Sequence, residues 1–333
     1  MSGMKTPTLL LLSACAGDAK PVDSAADSAT PTTDWSARGR YGAGTTAGEI
    51  ASGERTVPVR VWYPSEAADA AVPLADLIDD ADDRATLAGL VDAAPARCPG
   101  ATQSVAVGGA PAAGPFPVVA LSHCTECLAV SNATVAAHLA SWGFVVVAPD
   151  HTGNTLFDAL AGDGGSLDEA TLAQRAADLR AALAAAPDLA PDGLDLDLDR
   201  VGVAGHSFGA VTAGRALAED PRPAAGVFIG APIDTPFLSG ADASTITEPT
   251  LHVLLEEDNS IGVLGNTGIE TNFADMGGPS ILARIEDAGH WSTSDLCGVV
   301  EAFLPGCGED RRQEGGATFT YIDPGDGRTT TAA

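Results

Sequence analysis

Basic residues are scarce in this sequence: Lys plus Arg number 17 against 45 Asp plus Glu, a net charge of −28 over 333 residues. A phosphate backbone would be repelled over most of such a surface, which excludes nucleic-acid binding as the main function. The same shortage excludes attachment to anionic lipid through basic patches. Long hydrophobic runs are missing as well. The apolar run Thr8–Ala14 (TLLLLSA) falls far short of the roughly 20 residues that a bilayer requires. No internal repeat and no second core can be read along the chain. What is present is a globular composition, 45% apolar and 19% charged, on a chain long enough to bury about three quarters of its unfolded surface.

The N-terminus reads as an address. Lys5 precedes the short apolar run, and Leu12-Ser13-Ala14-Cys15 resembles a bacterial lipobox, whose cysteine is lipidated and becomes the mature N-terminus. Residues 1–15 are therefore expected to be a lipoprotein-type signal peptide, and residues 16–37 a polar tether. An ordinary secretory signal is the alternative; either places the body outside the cytoplasm, with membrane contact only through the lipid on Cys15. Cys98, Cys124, Cys127, Cys297 and Cys307 remain. In an oxidising compartment this odd number predicts two disulfides and one free thiol. Cys297 with Cys307 is the first expected pair, and Cys98 with Cys124 or Cys127 the second. The Cys124–Cys127 spacing would also suit a redox dithiol or half a zinc site, but no second close pair of ligands is spaced to complete it.

Beyond the tether, short apolar runs alternate with helical patterns. Strands are expected at Arg55–Pro64, Pro117–Ser122, Phe144–Ala148, Val201–Ala204, Ala225–Ile229, Thr250–Leu255 and Ile281–Ile285. Helices are expected near Leu74–Val91, and over Asn132–Trp142, Asp168–Ala186, Phe208–Glu219 and Ser292–Phe303. Runs buried on both faces, separated by helices, predict an α/β fold: a doubly wound, mostly parallel sheet with helices on both faces. One domain is expected over residues 38–308, followed by a polar tail at 309–333 that frays.

Gly205-His206-Ser207-Phe208-Gly209 follows one expected strand and opens the next helix, the setting in which G-x-S-x-G forms a nucleophile elbow. The two glycines leave space at a sharp turn, and the helix N-terminus offers unpaired N–H groups to a developing oxyanion. A serine hydroxyl needs a base, and in this architecture the acid and then the histidine follow the serine in the chain. Of six histidines, only His252 and His290 come after Ser207. His252 lies inside an apolar strand, whereas His290 follows the last strand in Asp287-Ala288-Gly289-His290-Trp291, so His290 is the expected base. Asp258, at the turn after Thr250–Leu255, is the expected acid, with Glu256, Glu257 and Asp234 as alternatives. The oxyanion donors are expected to be the backbone N–H groups of Phe208 and Thr125.

Further features carry less. Leu156, Phe157 and Trp291 flank the expected catalytic edge and are candidates for an acyl pocket. Thr152–Leu167 could fold as a flap. Asp192–Asp199 lacks the glycine and closing glutamate of a calcium loop and reads as a solvated turn.

RVWYP at 60–64, LSHC at 121–124, APDHTGNT at 148–155, GHSFGA at 205–210, EEDNSIG at 256–262 and AGHWS at 288–292 together resemble the platelet-activating-factor acetylhydrolase and polyester-hydrolase-like branch of the α/β-hydrolases, over roughly residues 55–305. The resemblance implies carboxylic ester hydrolysis by a Ser207–His290–Asp258 triad without metal or organic cofactor, on short-to-medium acyl esters or polyester-like substrates. It departs at one point: the family reads Ser-His-Gly in the oxyanion loop, and this chain has Ser122-His123-Cys124. Either a disulfide pins Cys124 or the pocket differs. A haloperoxidase or peptidase on the same fold would share the triad, and a dienelactone-hydrolase type would want cysteine at the elbow. A catalytically silent envelope lipoprotein using the fold as a binding scaffold is the alternative of a different class.

Overall fold

The computed structural model describes residues 33–98, 102–235 and 237–333. The expected signal peptide, the lipidation site Cys15 and most of the tether lie outside the described residues. In chain order the elements are β1 (Gly42–Ser52), β2 (Arg55–Ser65), β3 (Ala70–Pro73), α1 (Ala81–Ala93), β4 (Thr102–Val107), β5 (Phe116–Ser122), α2 (Ala133–Ser141), β6 (Val145–Pro149), α3 (Leu156–Ala161) and α4 (Glu169–Ala184). There follow α5 (Ala186–Leu189), β7 (Leu196–His206), α6 (Phe208–Glu219), β8 (Gly226–Ile229), β9 (Thr250–Leu255), α7 (Gly262–Asp275), β10 (Ser280–Ile285), β11 (Glu309–Arg311), β12 (Thr318–Thr320) and α8 (Pro324–Ala332).

Ten strands form one sheet in the order β10-β9-β8-β7-β5-β6-β2-β1-β4-β3. From β6 to β10 every neighbouring pair is parallel, and β2 joins antiparallel to β6. The pleat explains why the central runs are apolar without alternation. On β6, Val146 and Ala148 enter the core beneath α2, while Val145 and Val147 enter the core beneath α4 and α6. Successive side chains point to opposite faces, and helices cover both faces. The sheet is the mostly parallel, doubly wound one expected. No helix among the described residues is long and apolar enough to cross a membrane.

Several expectations are corrected. The helix expected near Leu74–Val91 is a short 3-10 turn at Leu74–Leu77 followed by α1, whose start is set by Asp80 accepting from the N–H groups of Asp82 and Asp83. Ser292–Phe303 is not a helix but a buried irregular loop ending in one 3-10 turn. Its serines bond elsewhere: Ser292 Oγ accepts from Gly289 N and donates to Gly306 O, and Ser294 Oγ donates to Ser131 O. Such local side-chain bonds compete with the helical ladder. Residues 309–333 do not fray. They form the β11–β12 hairpin and α8, with Phe319, Tyr321 and Arg328 buried. The paired cysteines also differ from expectation. Cys98 bonds Cys307, Cys124 bonds Cys127, and Cys297 is a buried free thiol.

Candidate active site

Because β5 to β9 run parallel, the loops after their C-terminal ends gather along one edge of the sheet, where open α/β sheets place their sites. Ser207 stands there between β7 and α6, with φ 57° and ψ −123°. That conformation is costly for a residue bearing a Cβ, and it leaves no space beside it. A Cβ on Gly205 would come within 2.0 Å of Gly209 O, and one on Gly209 within 2.0 Å of Ser122 O. The two glycines are therefore steric requirements of the turn. Among the described residues the non-glycine positions with positive φ are Glu126, Ser207 and Asp287, each in a loop of this edge.

The three residues singled out from the sequence meet here. His290 Nε2 lies 2.8 Å from Ser207 Oγ, and His290 Nδ1 lies 2.7 Å from Asp258 Oδ2. Asp258 is fully buried, and its Oδ1 accepts from the N–H groups of Ser260 and Ile261, both at 3.0 Å. With Oδ1 so occupied, Oδ2 is left to orient the imidazole. The alternatives sit differently. Glu257 pairs with Arg312, and Asp234 is tied through its own N–H to Asn272.

The oxyanion candidates occupy two adjoining segments. Phe208 opens α6, whose first-turn N–H groups have no partner within the helix. Thr125 lies inside the tight turn closed by the Cys124–Cys127 disulfide, so Cys124 is pinned where the resembled family has glycine. Of the pocket candidates, Leu156 is packed in the core. Trp291 is buried and stacks on Phe303 at 3.8 Å. Phe157 lines a cavity of about 340 Å³ together with Arg60, Asp79, Asp83, Asp150 and Asp158. Burial pushes Asp150 up to about 6.

A family model described as chlorophyllase matches residues 86–257, just over half of the chain. The chain belongs to the chlorophyllase family. The match covers Thr125, Ser207 and Phe208 and ends one residue before Asp258. No curated protein matches the sequence. Among solved structures, a ferulic acid esterase from Streptomyces cinnamoneus is 23% identical, with a TM-score of 0.64, covering 91% of this chain and 89% of its own. A dienelactone hydrolase-like promiscuous phosphotriesterase from metagenomic libraries is 18% identical, with a TM-score of 0.53, covering 86% of this chain and 95% of its own. At these identities the likeness concerns the fold, and the chlorophyllase-family chain is an α/β-hydrolase.

The sequence reading missed a buried polar group behind the elbow of this chlorophyllase-family protein. Arg175 on α4 is fully buried, as are His151 and Asp178. Asp178 pairs with Arg55 and accepts from His151 Nδ1, so His151 Nε2 is free to accept from Ser122 Oγ at 2.9 Å. Burial holds His123 and His151 well below the usual histidine range, and both are neutral. His206, the residue before Ser207, is likewise neutral by burial, and its Nε2–H donates to the backbone carbonyl of His290 at 3.0 Å. One signal was available. Arg175 falls on the apolar stripe of α4 with Leu172, Ala176 and Leu179, an unusual place for a charge. Among the described residues, the group with metal-ligand spacing is Cys98, Cys297 and Cys307, whose sulfurs lie within 4.8 Å of one another. Two of these are joined in a disulfide, leaving one thiol.

Proposed function

We propose that this protein hydrolyses carboxylic esters through an acyl-enzyme on Ser207. The observation that carries the reading is His290 reaching Asp258 with one ring nitrogen and Ser207 with the other. With Nδ1–H donated to Asp258, Nε2 is the basic nitrogen and accepts the Ser207 proton. Oγ then attacks the ester carbonyl carbon, and the carbonyl oxygen becomes an oxyanion facing the N–H groups of Phe208 and Thr125. His290 returns its proton to the leaving alcohol, the tetrahedral intermediate collapses, and the acyl group stays on Ser207. Water, deprotonated by His290, attacks the acyl carbon, and the acid departs as Oγ is reprotonated. Asp258 holds the ring through Nδ1–H and stabilises the imidazolium that forms.

The substrates proposed are short-to-medium acyl esters or polyester-like chains, and the site of action is outside the cytoplasm, anchored through lipid on Cys15. Two disulfides support an oxidising compartment. Turnover of p-nitrophenyl acetate and butyrate by wild type and Ser207→Ala tests the chemistry. Loss of nearly all turnover in the variant is expected, and equal rates would favour a silent binding scaffold. Profiling acyl length, with a polyester film included, identifies the substrate class. Palmitate labelling of the full chain in a bacterial host, with Cys15→Ala as control, tests the anchor; an unlabelled wild type would contradict it.

A further inference from the structure

Arg175 is a cation placed entirely inside the protein, which is strongly unfavourable unless the surroundings compensate it. The carboxylate nearest to compensating it, Asp178, is already engaged by Arg55 and His151. Three of the acceptors the guanidinium does have belong to the segment Ser122–Cys124 in front of the elbow. Nη2 donates to His123 O and, at 3.3 Å, to Ser122 Oγ. Nη1 donates to Asn154 Oδ1 and approaches Cys124 O at 3.5 Å. On its other side, Nε donates to Thr212 Oγ1 at 3.3 Å, and the guanidinium carbon stands 4.8 Å from the centre of the Phe208 ring. One side chain therefore touches both segments that carry the expected oxyanion donors.

The peptide bond converts this contact into orientation. Cys124 C=O and Thr125 N–H belong to one planar trans unit and point in opposite directions. Cys124 O is drawn towards Arg175 and also accepts from His123 Nδ1 at 2.6 Å. The His123 ring is held in turn, because its Nε2 accepts the N–H of His151 at 3.0 Å. With the carbonyl oxygen turned inward to the guanidinium, the Thr125 N–H is turned away from it.

We infer that Arg175 is a positioning residue for oxyanion stabilisation, holding the carbonyls of His123 and Cys124 on one side so that the Thr125 N–H faces the reacting oxygen beside that of Phe208. The inference rests on the ester-hydrolase reading above. Arg175 does not touch substrate; it acts through the loop and through the α6 N-terminus. Burial lowers its pKa to about 9, so it remains cationic at neutral pH.

The test compares wild type, Ser207→Ala, Arg175→Met and Arg175→Lys on p-nitrophenyl butyrate, with a trifluoromethyl ketone as a reversible oxyanion mimic and with circular dichroism and melting to monitor folding. Wild type turns over and Ser207→Ala does not, which establishes the parent reading separately. Arg175→Met is expected to lower kcat about 10²-fold with KM changed less than threefold, and to weaken the ketone in parallel with kcat/KM. Arg175→Lys, which keeps the charge but reaches fewer carbonyls, is expected to fall between the two and also serves if the methionine variant does not fold. If wild type is active and a folded Arg175 variant keeps wild-type kcat and ketone affinity, the inference is overturned while the ester-hydrolase reading stands. A loss confined to KM would overturn it as well.

Discussion

His206 donates its Nε2–H to the backbone carbonyl of His290 across 3.0 Å, so the residue before the elbow serine holds the loop that carries His290. The two rings lie 4.9 Å apart, and Trp291 packs edge-on against both. His206→Phe keeps the ring volume and removes the donor. A positional bond of this kind contributes about 1 kcal/mol, so kcat is expected to fall roughly fivefold with KM little changed. Steady-state kinetics on p-nitrophenyl butyrate check this, and an unchanged kcat would contradict it.

Acid should destabilise the fold through its buried histidines. Burial holds His123, His151 and His206 well below 6.5 and His252 at about 4. In the unfolded chain they titrate near 6.5. Their contribution is complete above about 6.5 and is lost as pH falls from there towards the folded-state values, because the unfolded chain then binds protons that the folded one refuses. Asp150, raised to about 6, and Asp178 and Asp295, also raised by burial, oppose this below their own raised pKa values. Between pH 7.5 and 6 the histidines dominate, and Tm is expected to drop. His252→Leu, on β9 away from His290, should reduce the drop. A flat Tm over this range would contradict the account.

The two disulfides should separate stability from catalysis. Cys98–Cys307 closes a loop of 209 residues, and removing such a constraint from the unfolded chain costs about 5 kcal/mol of stability in the chain-entropy model. Cys98→Ala with Cys307→Ala should therefore lower Tm strongly. Both residues must be changed, since Cys297 lies close enough to replace a missing partner. Cys124–Cys127 spans three residues and constrains the unfolded chain little. Cys124→Ser with Cys127→Ser should lower Tm by much less than the first pair and lower kcat, because Thr125 lies within that turn. The reverse pattern would contradict this assignment of roles.

The C-terminal segment clasps the turn that carries Asp258 to the loop that carries His290. Arg312 bonds Glu257 and Asp287, both at 2.7 Å, and Asn259 Nδ2 donates to Tyr321 Oη at 2.8 Å and to Asp310 Oδ2 at 3.0 Å. Arg328 faces the buried Asp295 carboxylate at 3.1 Å. Truncation after Gly308 leaves that carboxylate without its cation, a loss of about 3 kcal/mol or more. Both Tm and kcat are expected to fall. Arg312→Ala removes a solvent-screened pair and should lower kcat modestly with little change in Tm.

Legibility from sequence followed locality. The elbow and the His290 loop were readable because a few adjacent residues encode each turn, and the central strands because burial on both faces makes them uniformly apolar. Asp258 could be placed only by its position after β9, with three rivals left open. The disulfides were misassigned because chain proximity favoured Cys297 over the distant Cys98. β1 (GAGTTAGEIAS) escaped because its small and polar residues show no alternation, although the two-residue Gly53-Glu54 turn pairs it along its length with β2. The C-terminal clasp is built from charged and polar side chains whose partners are 25 to 62 residues away, and composition alone reads these as solvated. Arg175 was visible as a charge on an apolar stripe, but its acceptors are backbone carbonyls that no side-chain pattern reveals.

The most direct test of the account is reaction with a fluorophosphonate followed by peptide mass spectrometry, with wild type, Ser207→Ala and His290→Ala run side by side. The account predicts a single phosphonylated peptide containing Ser207 in wild type, none in Ser207→Ala, and labelling slowed at least 10³-fold in a folded His290→Ala. Labelling at another residue, or labelling of Ser207 at an equal rate without His290, would contradict it.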